Sequence, residues 1–183
     1  GEVGLTMHWS TVVGDDRSCL ATAFQQASQR ADAVIVNGGL GPTVDDLSQE
    51  VAAEAAGVGL ILDENWLSRM LDFYERRGRT MPPNNKKQAM LPEGAEFIDN
   101  PIGTACGFAI NIGSARFFFT PGVPREMRKM IDEQVIPRLL EMSGLKVVNR
   151  LKRFHSFGIG ESRADQLLSD VEALAVDDSL KLG

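Results

Sequence analysis

Cysteine is scarce: Cys19 and Cys106 are the two in 183 residues. Two cysteines are too few for a disulfide scaffold, and their spacing is not that of metal ligands. Both lie in apolar sequence and are expected as reduced core residues. Histidine is equally sparse. His8 and His155 sit among apolar or aromatic neighbours, which suits packed or edge side chains better than ligands. There is no Cys/His pair and no Gly-x-Ser-x-Gly elbow, so covalent nucleophilic catalysis has no support. No apolar run is long enough to span a bilayer. Positive charge is in deficit, with 19 Lys and Arg against 25 Asp and Glu and a formal charge of −6. A basic sheath for nucleic acid is therefore not expected. No signal-sequence pattern opens the chain at Gly1-Glu2-Val3, and the expected setting is the cytoplasm.

What is present is an ordinary globular balance, 43% hydrophobic and 24% charged, at a length that suits one domain or one domain plus an appendage. Residues 5–13 (LTMHWSTVV) are rich in β-branched and aromatic side chains and predict a strand. Gly14-Asp15-Asp16 ends it and opens a helix with Leu20, Phe24 and Ala27 on one face. Residues 33–36 (AVIV) form a short continuous apolar run, the pattern of a strand buried on both faces. Strand, helix, strand in that order predicts a right-handed parallel crossover. A helix is expected from about Val44. Another should carry Trp66, Leu67, Met70, Leu71 and Tyr74 behind an Asp63 cap. Residues 76–87 (RRGRTMPPNNKK) read as a basic surface excursion. Strands are expected at 95–98, 107–112 and 115–120, the last two joined by a turn over 111–114. A long helix follows Pro121-Gly122-Val123-Pro124, with Met127, Met130, Ile131, Val135 and Leu139 inward and a kink or division at Pro137. Residues 147–157 predict one more strand, Gly158 to Ser162 leads into a short helix, and 141–146 is the expected linker. The fold class is α/β, a three-layer α/β/α domain over 1–143 with a mostly parallel sheet, then a small α/β appendage over 144–183.

In such sheets ligands gather beyond the carboxyl ends of the strands. Three loops are expected there: Gly14-Asp15-Asp16, Gly38 to Asp46, and Pro121 to Glu126. GGLGPTVDD at 38–46 is the strongest feature. Gly38, Gly39 and Gly41 let the backbone approach a ligand, and free helix N-terminal amides favour anions, which suits phosphate. The P-loop pattern and the dinucleotide fingerprint are both absent. Asp45 and Asp46 place two carboxylates beside the loop, an arrangement that implies a bridging cation. A plainer reading stands next to this one. Thr43-x-x-Asp46 fits a capping box, and Asp15 or Asp16 fits a helix cap. Glu126 lies in a first helical turn, where a carboxylate suits the dipole in any case. Asn84, Asn85, Lys86 and Lys87 offer contacts to an anion or a solvated surface. Pro121 and Gly122 offer a pocket wall.

The segment GGLGPTVDDLS resembles the N-terminal domain of the CinA (competence/damage-inducible) family, within the molybdopterin-binding fold shared with MogA, MoaB and gephyrin-type proteins. VGDD at 13–16, PPNNKKQA at 82–89, NPIGTACGF at 100–108, TPGVPREM at 120–127 and FGIGES at 157–162 extend the resemblance over nearly the whole chain. It implies a molybdopterin-binding-like three-layer fold, with Asp46 at the position of an essential aspartate and Asp15 at another acidic one. It also implies metal-dependent hydrolysis of ADP-ribose or a related diphosphate, molybdopterin as a possible ligand, and self-association. The family's nicotinamide-mononucleotide deamidase domain has no counterpart here. The family pattern has further residues between Val3 and Gly4 and after Gly183, so segments are expected to be absent at both places.

The expected activity is thus a divalent-metal-dependent nucleotide pyrophosphatase. Gly38, Gly39, Gly41 and Thr43 would cradle phosphate, and Asn84, Asn85, Lys86, Pro121 and Gly122 would contact the ligand. Asp15, Asp45 and Asp46 would hold Mg²⁺ or another divalent ion, and Asp45, Asp46 and Glu126 would serve the chemistry. The alternatives are a molybdopterin- or nucleotide-binding module without hydrolysis, and a scaffold that has lost the chemistry. No nucleic-acid or membrane partner is expected.

Overall fold

Residues 4–144, 155 and 157–172 are described by the computed structural model. The chain divides into two compact units, Gly1–Asn149 and Arg150–Gly183. In the first, β5 (Gly107–Ile112) and β6 (Ala115–Thr120) form a hairpin that turns at Gly113, whose φ of +59° suits glycine. β1 (Ala33–Asn37) lies parallel to β6, with Ala33 opposite Arg116 and Asn37 opposite Thr120. β4 (Glu96–Ile98) pairs antiparallel with β5, giving the order β1-β6-β5-β4. The α/β class is as expected, but among the described residues the sheet is mixed and the β1–β6 ladder is its parallel part. A separate antiparallel pair joins β2 (Leu60–Leu62) to β3 (Met90–Pro92).

Period-2 alternation in the hairpin builds the layers. Phe108, Ile110, Ile112, Phe117 and Phe119 face one side. There they pack with Phe24 of α1 (Arg17–Arg30), Val51 and Ala52 of α2 (Ser48–Ala56), and Trp66 and Met70 of α3 (Glu64–Glu75). Ala109 and Phe118 face the other side, where Met130, Val135 and Leu139 cover them. Those three come from α4 (Pro124–Met130), a π-helical turn (Ile131–Val135) and α5 (Ile136–Ser143). The expected division at Pro137 takes this form. Pro137 has no N–H to give, and the π turn ends just before it. Phe108 and Phe119 stack at 4.4 Å, and Phe24 meets Phe119 edge-on at 5.6 Å.

Several expectations are corrected. Residues 5–13 form no strand, so the first crossover lacks its opening element. Strand-prone side chains need a ladder neighbour, and Met7 and Val12 are 83% and 98% exposed. Cys19 is exposed on α1, while Cys106 is buried and its thiol is pushed up by burial. The helix expected from Val44 starts at Ser48. Residues 141–143 of the expected linker belong to α5. The basic excursion contains a 3-10 helix, Pro83–Ala89. The strand expected over 147–157 falls on residues outside the described ones, apart from His155 and Phe157. In the second unit, α6 (Glu161–Glu172) follows Gly160, close to the expected start.

Candidate functional site

The parallel ladder fixes the site's frame. β1 and β6 end on the same rung, so the glycine loop and the Pro121 turn leave the sheet side by side. The Gly38 amide donates to the Thr120 carbonyl at 2.9 Å. A Cβ at Gly122 would stand 3.5 Å from the Gly38 Cα, whereas one at Gly38 would meet nothing within 4 Å. The space beside Gly38 is therefore open.

The loop is held from behind. Buried Ser48 donates from Oγ to the Gly38 carbonyl at 2.9 Å and from its amide to the Gly39 carbonyl at 3.1 Å. Gln88 Nε2 donates to the Leu40 carbonyl at 3.3 Å, and Lys87 Nζ to the Thr43 carbonyl at 3.1 Å. A trans peptide unit directs its C=O and N–H to opposite sides. Engaging the Gly38 and Thr43 carbonyls thus turns the Gly39 and Val44 amides the other way. Those two amides have no acceptor among the described residues.

Asp46 completes the turn. Its Oδ2 accepts from the Thr43 amide at 2.9 Å and from the Thr43 hydroxyl at 2.5 Å. Partial burial pushes this carboxyl up, but the Thr43 and Gly41 hydrogen bonds and the Lys87 charge outweigh burial and hold it below its ordinary value. A Cβ on Gly41 would collide with this carboxylate, and one on Gly39 with Ser48 Oγ. Neither position accepts a side chain. Asp46 therefore ties the loop to itself, while α2 starts at Ser48 without a side-chain cap.

The other expected residues are spread differently. Asp45 and Asp15 are exposed, and Asp16 caps α1 through the Cys19 amide at 2.9 Å. With bonds from Ser18 and Cys19, the Asp16 carboxyl is held at about 2. Glu126 accepts from Asn100 Nδ2 at 2.8 Å and lies against Gly103, so it braces the 100–105 loop and is not placed as a free base. Asn85 is buried, donating to Tyr74 Oη at 2.9 Å and Gln88 Oε1 at 3.0 Å. Asn84 and Lys86 are exposed. The structure thus sets Gly38 against the Pro121–Gly122 turn, and gathers Gly41, Thr43 and Asp46 around the Asp46 carboxylate, with Gly39 against Ser48. It leaves Asp15, Asn84, Asn85, Lys86 and Glu126 out of that contact set. Ser48 and Gln88 join it unforeseen. The signal for Gln88 was its i,i+3 spacing from Asn85, which stacks side chains in a 3-10 helix.

Among the described residues no three His, Cys, Asp or Glu side chains gather as a metal cluster. The expected Asp15, Asp45 and Asp46 carboxylates do not gather into one set, so they do not fit a resident metal ion held by all three.

The comparisons agree with this architecture. Residues 1–141 match the family described as a probable molybdopterin binding domain. A CinA-like protein of Escherichia coli (strain SE11) is 47% identical over 169 residues, 92% of this chain and 42% of the relative. At the same identity and coverage stands the NMN amidohydrolase-like protein YfaY of Escherichia coli (strain K12). This chain thus spans about two fifths of those relatives. A crystal structure of CinA from Thermoplasma acidophilum superposes with a TM-score of 0.58 at 32% identity, covering 72% of this chain and 73% of that one. No described helix is long and apolar enough to cross a membrane. The glycine loop and the fold that carries it therefore place this chain in the molybdopterin-binding-domain family, in its CinA-like branch.

Proposed function

We propose that the domain binds the phosphate or diphosphate of a small nucleotide or pterin at the glycine loop, opposite the Pro121–Gly122 turn. One observation carries the reading. The Gly38 and Thr43 carbonyls are taken from behind, while the Gly39 and Val44 amides are turned away and lack acceptors among the described residues. A backbone with its acceptors covered and its donors presented favours an anion. The open space at Gly38 gives the ligand its approach. The family description supports a pterin such as molybdopterin. The name of the Escherichia coli relative supports a nucleotide monophosphate, without carrying amide hydrolysis to this domain.

Asp45 favours a second, finer reading: hydrolysis of ADP-ribose or a similar diphosphate. It is exposed beside the loop and has no hydrogen-bond or ion-pair partner among the described residues. A Mg²⁺ ion carried in by the diphosphate needs only one or two protein carboxylates. Self-association belongs to the same proposal and is read by sedimentation.

The test is titration calorimetry with pyrophosphate, ADP-ribose, NMN and molybdopterin, with and without Mg²⁺, followed by an assay for AMP release. Binding by the wild type that is lost in Gly39→Ala supports the receptor. No binding of any of the four would refute it. AMP release abolished by Asp45→Asn supports hydrolysis, and binding without release rejects it.

A further inference from the structure

The 3-10 helix Pro83–Ala89 grips the glycine loop from behind. Gln88 takes the Leu40 carbonyl and Lys87 the Thr43 carbonyl. The grip is itself anchored, since Gln49 Nε2 donates to the Lys87 carbonyl at 3.3 Å and Asn85 holds Gln88. The Lys87 ammonium also lies 3.4 Å from Glu50 Oε1, and Glu50 in turn pairs with Arg17 of α1. Lys87 is 24% exposed at its side chain. Two elements therefore fix its charge in place, and it is not free to follow a ligand. Its neighbour Lys86 is exposed and has no partner among the described residues.

We infer that Lys87 is a positioning residue of the anion receptor: its ammonium holds the Thr43 carbonyl outward, so the Val44 amide faces the ligand. The inference rests on the reading of the loop as a receptor. The Thr43 carbonyl also accepts from the Asp46 amide at 3.3 Å, so without Lys87 one long bond is left to keep this peptide unit from rotating and presenting a carbonyl where a donor is needed. Arginine reaches a carbonyl and a carboxylate at once, so Lys87→Arg should keep the function, while Lys87→Met has no donor to give.

Wild type, Lys87→Met and Lys87→Arg are compared by calorimetric titration with inorganic pyrophosphate and by amide hydrogen exchange over residues 40–46. Lys87→Met is expected to bind about tenfold more weakly, with faster exchange in the loop and unchanged exchange in β5 and β6. Lys87→Arg should stay within about threefold of wild type. Three results overturn the inference alone: Lys87→Met binding as wild type does, weakened binding without faster loop exchange, or Lys87→Arg as weak as Lys87→Met. A wild type that binds no pyrophosphate overturns the receptor reading and this inference together.

Discussion

Asp46 shows how one carboxylate near a glycine loop takes on an architectural task in the fold. Its two Thr43 hydrogen bonds close the loop, and Gly41 is small because that carboxylate occupies the adjoining space. Asp46→Asn should cost about 1.5–3 kcal/mol in urea unfolding, the usual scale for a hydrogen bond to a charged group. Gly41→Ala should cost a similar amount, and almost nothing further in an Asp46→Ala background, because both changes break one contact. Acid acts on the same bond. The folded-state pKa lies below the ordinary value, so the stabilisation is present above the ordinary carboxylate range and is lost as pH falls through the folded value. Wild type should therefore lose stability on acidification more steeply than Asp46→Asn, as followed by Trp66 fluorescence. Asp16 adds a contribution of the same sign, which fades between about 3.8 and about 2.

Among elements, the β5–β6 hairpin carries both layers. Phe119 stacks on Phe108 and takes the edge of Phe24, so Phe119→Ala should destabilise by about 3–5 kcal/mol in chemical denaturation. This hairpin was also the part easiest to read, because continuous apolar strands around a glycine turn leave few alternatives. α3 was legible for a related reason: an Asp63 cap and a helical apolar stripe agree, and Asp63 does accept from the Trp66 amide at 2.8 Å. Residues 5–13 misled because strand propensity counts only beside a paired neighbour. β2 and β3 are three residues each, too short for a period to show. The α2 start was misplaced because Asp46 bonds back to Thr43 and keeps 43–46 in a turn. For the site, glycine content announced the loop, but nothing local distinguished Lys87 from Lys86. Only the 3-10 geometry of Pro83–Ala89 separates their directions.

At the scale of the molecule, both apolar clusters and the whole candidate site lie within Gly1–Asn149. The pairing of Asn37 with Thr120 has a last consequence for how such a domain can change. The glycine loop and the Pro121–Gly122 turn, the two rims of the candidate site, are tethered to the same last rung of one ladder. Adding a single residue inside either strand would slide one rim past the other by about 3.3 Å and turn every following side chain over. Variation in length is therefore confined to stretches away from β1 and β6, and the gap between the rims behaves as a fixed gauge. What decorates the gap can change, but its width is not free to drift.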